Sequence, residues 1–84
     1  MDKKIIDNSE QIKKSRINEP IFQAILQLYE TRIDLGISQK ELARLSGVRQ
    51  SNISRIETGT CSPDLETISK LAYAMNKKLE IKIK

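Results

Sequence analysis

Four side chains, Gln50, Ser51, Ser54 and Arg55, stand close enough in the sequence to share one face of a helix. At about 100° per residue, Ile53 and Ile56 fall on the opposite face and turn inward. All four outward groups form hydrogen bonds, and none is bulky and apolar. Such groups suit a base edge or a phosphate: arginine pairs with guanine O6 and N7, and glutamine with adenine N6 and N7. Any surface helix turns polar residues outward, so this face signals recognition only if its neighbours hold it in place.

Bond-making chemistry finds less support. The chain has no histidine and a single cysteine, Cys61. That excludes Ser-His-Asp and Cys-His centres and leaves no His or Cys cluster for a metal. The carboxylates Asp34, Glu41, Glu57 and Glu66 each stand where helix capping, ion pairing or solvation employs them. There is no glycine-rich phosphate loop. The expectation is a protein that binds rather than transforms, with no catalytic residues, no cofactor and no metal. Cys61 reads as an incidental thiol, in keeping with a reducing compartment.

With 84 residues the chain makes one small domain, and one that size buries only about 60% of its unfolded surface. The apolar fraction is 38%, with one Phe, two Tyr and no Trp, so the core rests on Ile, Leu, Val, Ala and Met. That composition suits a helical bundle. The net charge of +4 is weak testimony for nucleic acid taken alone. No segment approaches the roughly 18 apolar residues of a membrane span, and no apolar signal segment opens the chain. A soluble, cytoplasmic protein without a membrane partner is expected.

The elements that must position the polar face can be read in order. Asn18 caps a first helix, with Glu19 and Pro20 in its first turn and Ile21, Ile25, Leu28 and Arg32 along one stripe. Gly36 ends it. Ser38 and Glu41 form a capping box for a short second helix bearing Leu42, Ala43 and Leu45, closed by Gly47. Ala43 allows a close helix crossing, and Gly47 tolerates the positive φ of a sharp turn. Val48 follows in the turn. A third helix runs over roughly residues 50–58, stopped by Gly59. Asp64 caps a fourth, carrying Leu65, Ile68, Leu71, Ala72 and Met75, with Asn76 as its stop.

After residue 76 the period changes. Leu79, Ile81 and Ile83 alternate with charged residues, as in a half-buried strand, and a lone strand needs a partner. The chain thus divides into a flexible arm (residues 1–17), a helical domain (18–76) and a C-terminal strand (77–84). The arm reads as a solvated tail. The expected fold is mainly α, a compact bundle of four to five helices with one short terminal strand.

The block SQKELARLSGVRQSNISRIETG, residues 38–59, resembles the XRE family of helix-turn-helix regulators related to the lambdoid phage repressors and Cro, a likeness running from about residue 21 to 75. The resemblance implies that helix two braces the DNA backbone while helix three enters the major groove of double-stranded DNA. By position it assigns Gln39 and Thr58 to phosphates, with Lys40 and Asn52 grouped beside them, and Gln50, Ser51 and Arg55 to bases, joined by Ser54. It also implies a partly buried ion pair between Arg32 and Glu57, with Arg32 structural. The family's usual Ser or Thr before the recognition helix is here Arg49. The substitution removes about 1 kcal/mol of capping and offers a guanidinium to a base or phosphate.

The ending AMNKKLEIKIK is similar to the tail of HigA-type antitoxins. That likeness implies a homodimer in which Leu79, Ile81 and Ile83 pair across a two-fold axis; the alternative is a strand folded onto its own domain. Two recognition helices about 34 Å apart would read an inverted repeat. The implied function is a transcriptional regulator acting as a repressor. The alternative is an antitoxin that neutralises a small toxin protein and regulates its own operon.

Overall fold

The computed structural model describes residues 20–84. They form four helices: α1 (Pro20–Leu35), α2 (Gln39–Ser46), α3 (Gln50–Glu57) and α4 (Leu65–Ala74). The expected cap at Asn18, and the arm before it, lie outside the described residues.

Helix ends follow local chemistry. Ser38, in extended backbone, accepts the Glu41 N–H at 3.0 Å and caps α2. Asp64 accepts the Thr67 N–H at 2.9 Å and caps α4. The return half of the expected capping box is replaced: the Glu41 carboxylate turns to Arg44, one turn further on, at 3.1 Å from its Nε. An arginine three residues away offers a full charge to that carboxylate, where the cap offers only a backbone dipole.

At the far end, α1 closes when Gly36 N–H reaches Ile33 O and Ile37 N–H reaches Arg32 O, with Gly36 at φ +71°. This is a Schellman ending, and it repeats at Asn76 with Lys77 after α4. Asn76 adopts φ 62°, alone among the described non-glycine residues in doing so. Asparagine tolerates the left-handed region better than other side chains.

Each helix contributes to one core of Ile25, Leu42, Ile53, Ile56, Leu71 and Met75, with Ala43, Val48 and Cys61 packed against it. α2 lies against both α3 and α4, and α1 touches the same two, so α3 is held from two sides. Phe22, absent from the stripe read in the sequence, is fully buried at 1% exposure. Conversely, Leu45 and Leu65, apolar residues of the expected second and fourth helices, are 45% and 56% exposed. A helix of eight or ten residues has room for only two or three inward positions, and Leu42 with Ala43, or Ile68 with Leu71 and Ala72, already take them.

The expected C-terminal strand is absent. Residues 77–84 carry no regular structure, Leu79 is half-buried, and Ile81 and Ile83 are 58% and 94% exposed. Every other described element is helical, so no extended segment lies beside these residues to satisfy their backbone.

Candidate nucleic-acid interface

Ile53 and Ile56, 1% and 3% exposed, anchor the inward face of α3. Their burial sets the helix rotation and therefore what faces solvent. Gln50, Ser51, Asn52 and Arg55 are exposed, and Ser54 is partly so. Arg49 is exposed at the N-cap position, with extended backbone and no side-chain capping bond. The first-turn N–H groups of α3 therefore lack a side-chain acceptor, and such groups favour negative charge nearby. Lys40 is exposed in the first turn of α2.

The turn between the two helices is set by Gly47, at φ +78°, whose N–H closes α2 on Ala43 O at 2.9 Å. Nothing lies within 4 Å of where a Cβ would stand. Glycine is required there by backbone conformation and not by crowding.

Beneath this surface lies a buried polar network. Arg32 Nε donates to Glu57 Oε2 at 2.7 Å and its Nη2 to Oε1 at 2.8 Å, while Nη1 donates to Ile37 O at 2.8 Å. Both residues are 8% exposed. Gln39 Nε2 adds a third donor to the carboxylate, reaching Glu57 Oε1 at 2.9 Å. The Arg32 guanidinium also lies 5.7 Å from the centre of the Tyr29 ring. The end of α1, the start of α2 and the end of α3 thus meet at one carboxylate, and no buried side-chain polar atom among the described residues lacks a partner.

This network changes the reading of two residues assigned to phosphates. Gln39 is half-buried and spends one amide hydrogen on Glu57, which leaves the other for an outside acceptor. Thr58 Oγ1 donates to Ser54 O at 3.0 Å and lies 3.2 Å from Arg55 O, so its proton is engaged at the end of α3. A phosphate, which only accepts, would require that hydroxyl to rotate away. The Gln39–Glu57 contact spans 18 positions and carries no local signal in the sequence.

On the exposed flank of α2, Arg44 hydrogen-bonds Glu41 and holds its carboxyl below the ordinary value, and the same contact raises Arg44. Hydrogen bonds from Thr67 lower Asp64 likewise. No group of three or more potential metal ligands occurs among the described residues, and none of the described helices is long and apolar enough to cross a membrane.

Comparison with known proteins bears on this architecture directly. The sequence profile of a helix-turn-helix family matches residues 28–82. An uncharacterized HTH-type transcriptional regulator of Haemophilus influenzae is 45% identical over 76 residues, covering 90% of this chain and 74% of the relative. Vegetative-specific protein H7 of Dictyostelium discoideum is 36% identical over 92% of this chain and 71% of its own length. An uncharacterized HTH-type transcriptional regulator of Archaeoglobus fulgidus is 35% identical over 64% of this chain and 77% of its own. No solved structure matches. The profile spans the turn at Gly47, the polar face of α3 and the carboxylate that ties its end to α1, and by that match the chain belongs to the XRE-type helix-turn-helix family.

Proposed function

We propose that this protein is a sequence-specific DNA-binding transcription regulator that inserts α3 into the major groove. The observation that carries the reading is the two-sidedness of α3: Ile53 and Ile56 are buried, and Gln50, Ser51 and Arg55 stand exposed on the other side. In this reading Arg55 and Gln50 contact base edges, with Ser51 and Ser54 beside them. Arg49, Lys40, Asn52 and the free amide hydrogen of Gln39 hold phosphates, and Thr58 joins them after its hydroxyl turns. The relatives named as HTH-type transcriptional regulators support the same reading.

An eight-residue recognition helix spans too few base pairs for strong specificity. We infer a homodimer on an inverted repeat, acting as a repressor by covering a promoter. The exposed Ile81 and Ile83 offer apolar surface for that contact. The antitoxin alternative drew on the tail, which forms no strand, and no structural observation favours it.

Fluorescence anisotropy with the duplex upstream of the protein's own gene, against a scrambled duplex and across salt concentrations, tests the proposal. A preference of about a thousandfold, with log K falling steeply as salt rises, is expected. Equal weak binding to both duplexes, repeated on a library of random sequences, would refute it.

A further inference from the structure

Glu57 does more in this fold than balance Arg32. It is the last residue of α3, and the amide it receives from α2 belongs to that helix's first residue, Gln39. Gln39 follows the cap Ser38, at the end of α2 that the proposed docking sets against the DNA backbone. Arg32 fastens the same corner through the main chain, since its Nη1 donates to Ile37 O at 2.8 Å in the loop leading into α2.

The acceptor dictates how Gln39 is held. A carboxylate only accepts, so the amide must turn its nitrogen, and not its oxygen, toward Glu57. The contact is 2.9 Å between Gln39 Nε2 and Glu57 Oε1. The second hydrogen sits on the same planar nitrogen, so fixing the first fixes its direction too. An unheld glutamine would rotate about its side-chain bonds and could as readily offer its oxygen, which a phosphate repels. Arg32 meets both Glu57 oxygens, at 2.7 and 2.8 Å, so the pair carries no net charge and leaves a nearby phosphate unopposed. We infer that Glu57 is a positioning residue for DNA binding: from inside the fold it holds the Gln39 amide with one N–H ready for a backbone phosphate. The side chain is ordered in folding, so binding loses less freedom. The inference rests on the proposed docking of α2 and α3 on DNA, and adds a link from the buried ion pair to one phosphate contact.

The test uses the full chain and the duplex it selects from a random pool, with single methylphosphonates walked along the backbone. Gln39→Ala should weaken binding about three- to tenfold. One methylphosphonate position per recognition helix should remove the difference between that variant and the wild type. Arg32→Met with Glu57→Leu keeps Gln39 but takes away its acceptor, and should show a loss of similar size. Adding Gln39→Ala to that double variant should then weaken binding by less than about twofold more. A purely structural Glu57 would give losses that multiply, and that result overturns the inference. Should the double variant melt early, NMR relaxation of the free wild type decides. The Gln39 side-chain amide is expected to be rigid, and one as mobile as that of exposed Gln50 overturns the inference. A wild type that prefers no duplex would defeat the α3 reading and this inference with it. One that discriminates sequence while Gln39→Ala binds equally well would defeat this inference alone.

Discussion

The carboxylate of Glu57 collects three donors from two helices, two from Arg32 and one from Gln39. Removing Arg32 leaves that charge buried with one weak partner. Arg32→Ala is expected to cost about 3–5 kcal/mol, which for a domain of this size lowers Tm by roughly 12 °C or more. The double variant Arg32→Met with Glu57→Leu should recover much of the loss, because both desolvated charges leave together. Calorimetry of the three proteins checks this, and a double variant as unstable as the single would contradict it. At the exposed end of the scale, Arg55→Ala should leave Tm within about 2–4 °C of its value, as surface substitutions do. Its effect falls on DNA, where losing a bidentate base contact costs about 1–3 kcal/mol and relaxes preference at one position. Selection from a randomised duplex pool reads that relaxation.

Among elements, α3 is the one whose ends matter most. It starts without a side-chain cap, since Arg49 makes no capping bond. Arg49→Ser is expected to raise stability by about 1 kcal/mol while weakening DNA binding and flattening its salt dependence by the loss of one cation. A stabilised variant with unchanged affinity would show that Arg49 touches no DNA. The turn ahead of α3 makes a second case. Gly47 sits at φ +78° with open space around its missing Cβ. Gly47→Ala should cost about 1–2 kcal/mol through backbone conformation alone, and Gly47→Asn less, a ranking that urea titration resolves. The caps at Ser38 and Asp64 and the stops at Gly36, Gly59 and Asn76 were legible in the sequence because each acts over three or four residues. Leu45 and Leu65 were not legible, since apolar type does not say which face of a short helix a neighbour covers.

For the whole molecule, the proposed dimer rests on the tail. The tail alternates apolar and charged residues as a strand does, yet residues 77–84 carry no regular structure and leave Ile81 and Ile83 exposed. If those side chains mediate the proposed dimer, deleting residues 79–84 should yield monomers in sedimentation analysis. DNA affinity would then fall steeply, because each half-site would be bound alone. A truncated protein that stays dimeric would place the contact elsewhere on the surface.

What the sequence determined by itself is everything that acts locally: the helices, their caps, the tight turn at Gly47, and the split of α3 into an isoleucine side and a polar side. The absence of histidine and the lone Cys61 likewise settled which catalytic centres could not form. Tertiary structure alone decided what depends on distant partners. It bound Gln39 to Glu57 across 18 positions and Arg32 to the same carboxylate across 25. It buried Phe22 while exposing Leu45, and left Ile81 and Ile83 of the tail open to solvent. The physical reason is range. A cap or a turn is a contest among a few neighbouring atoms, whereas a side chain's partner across the fold exists only once the helices have packed.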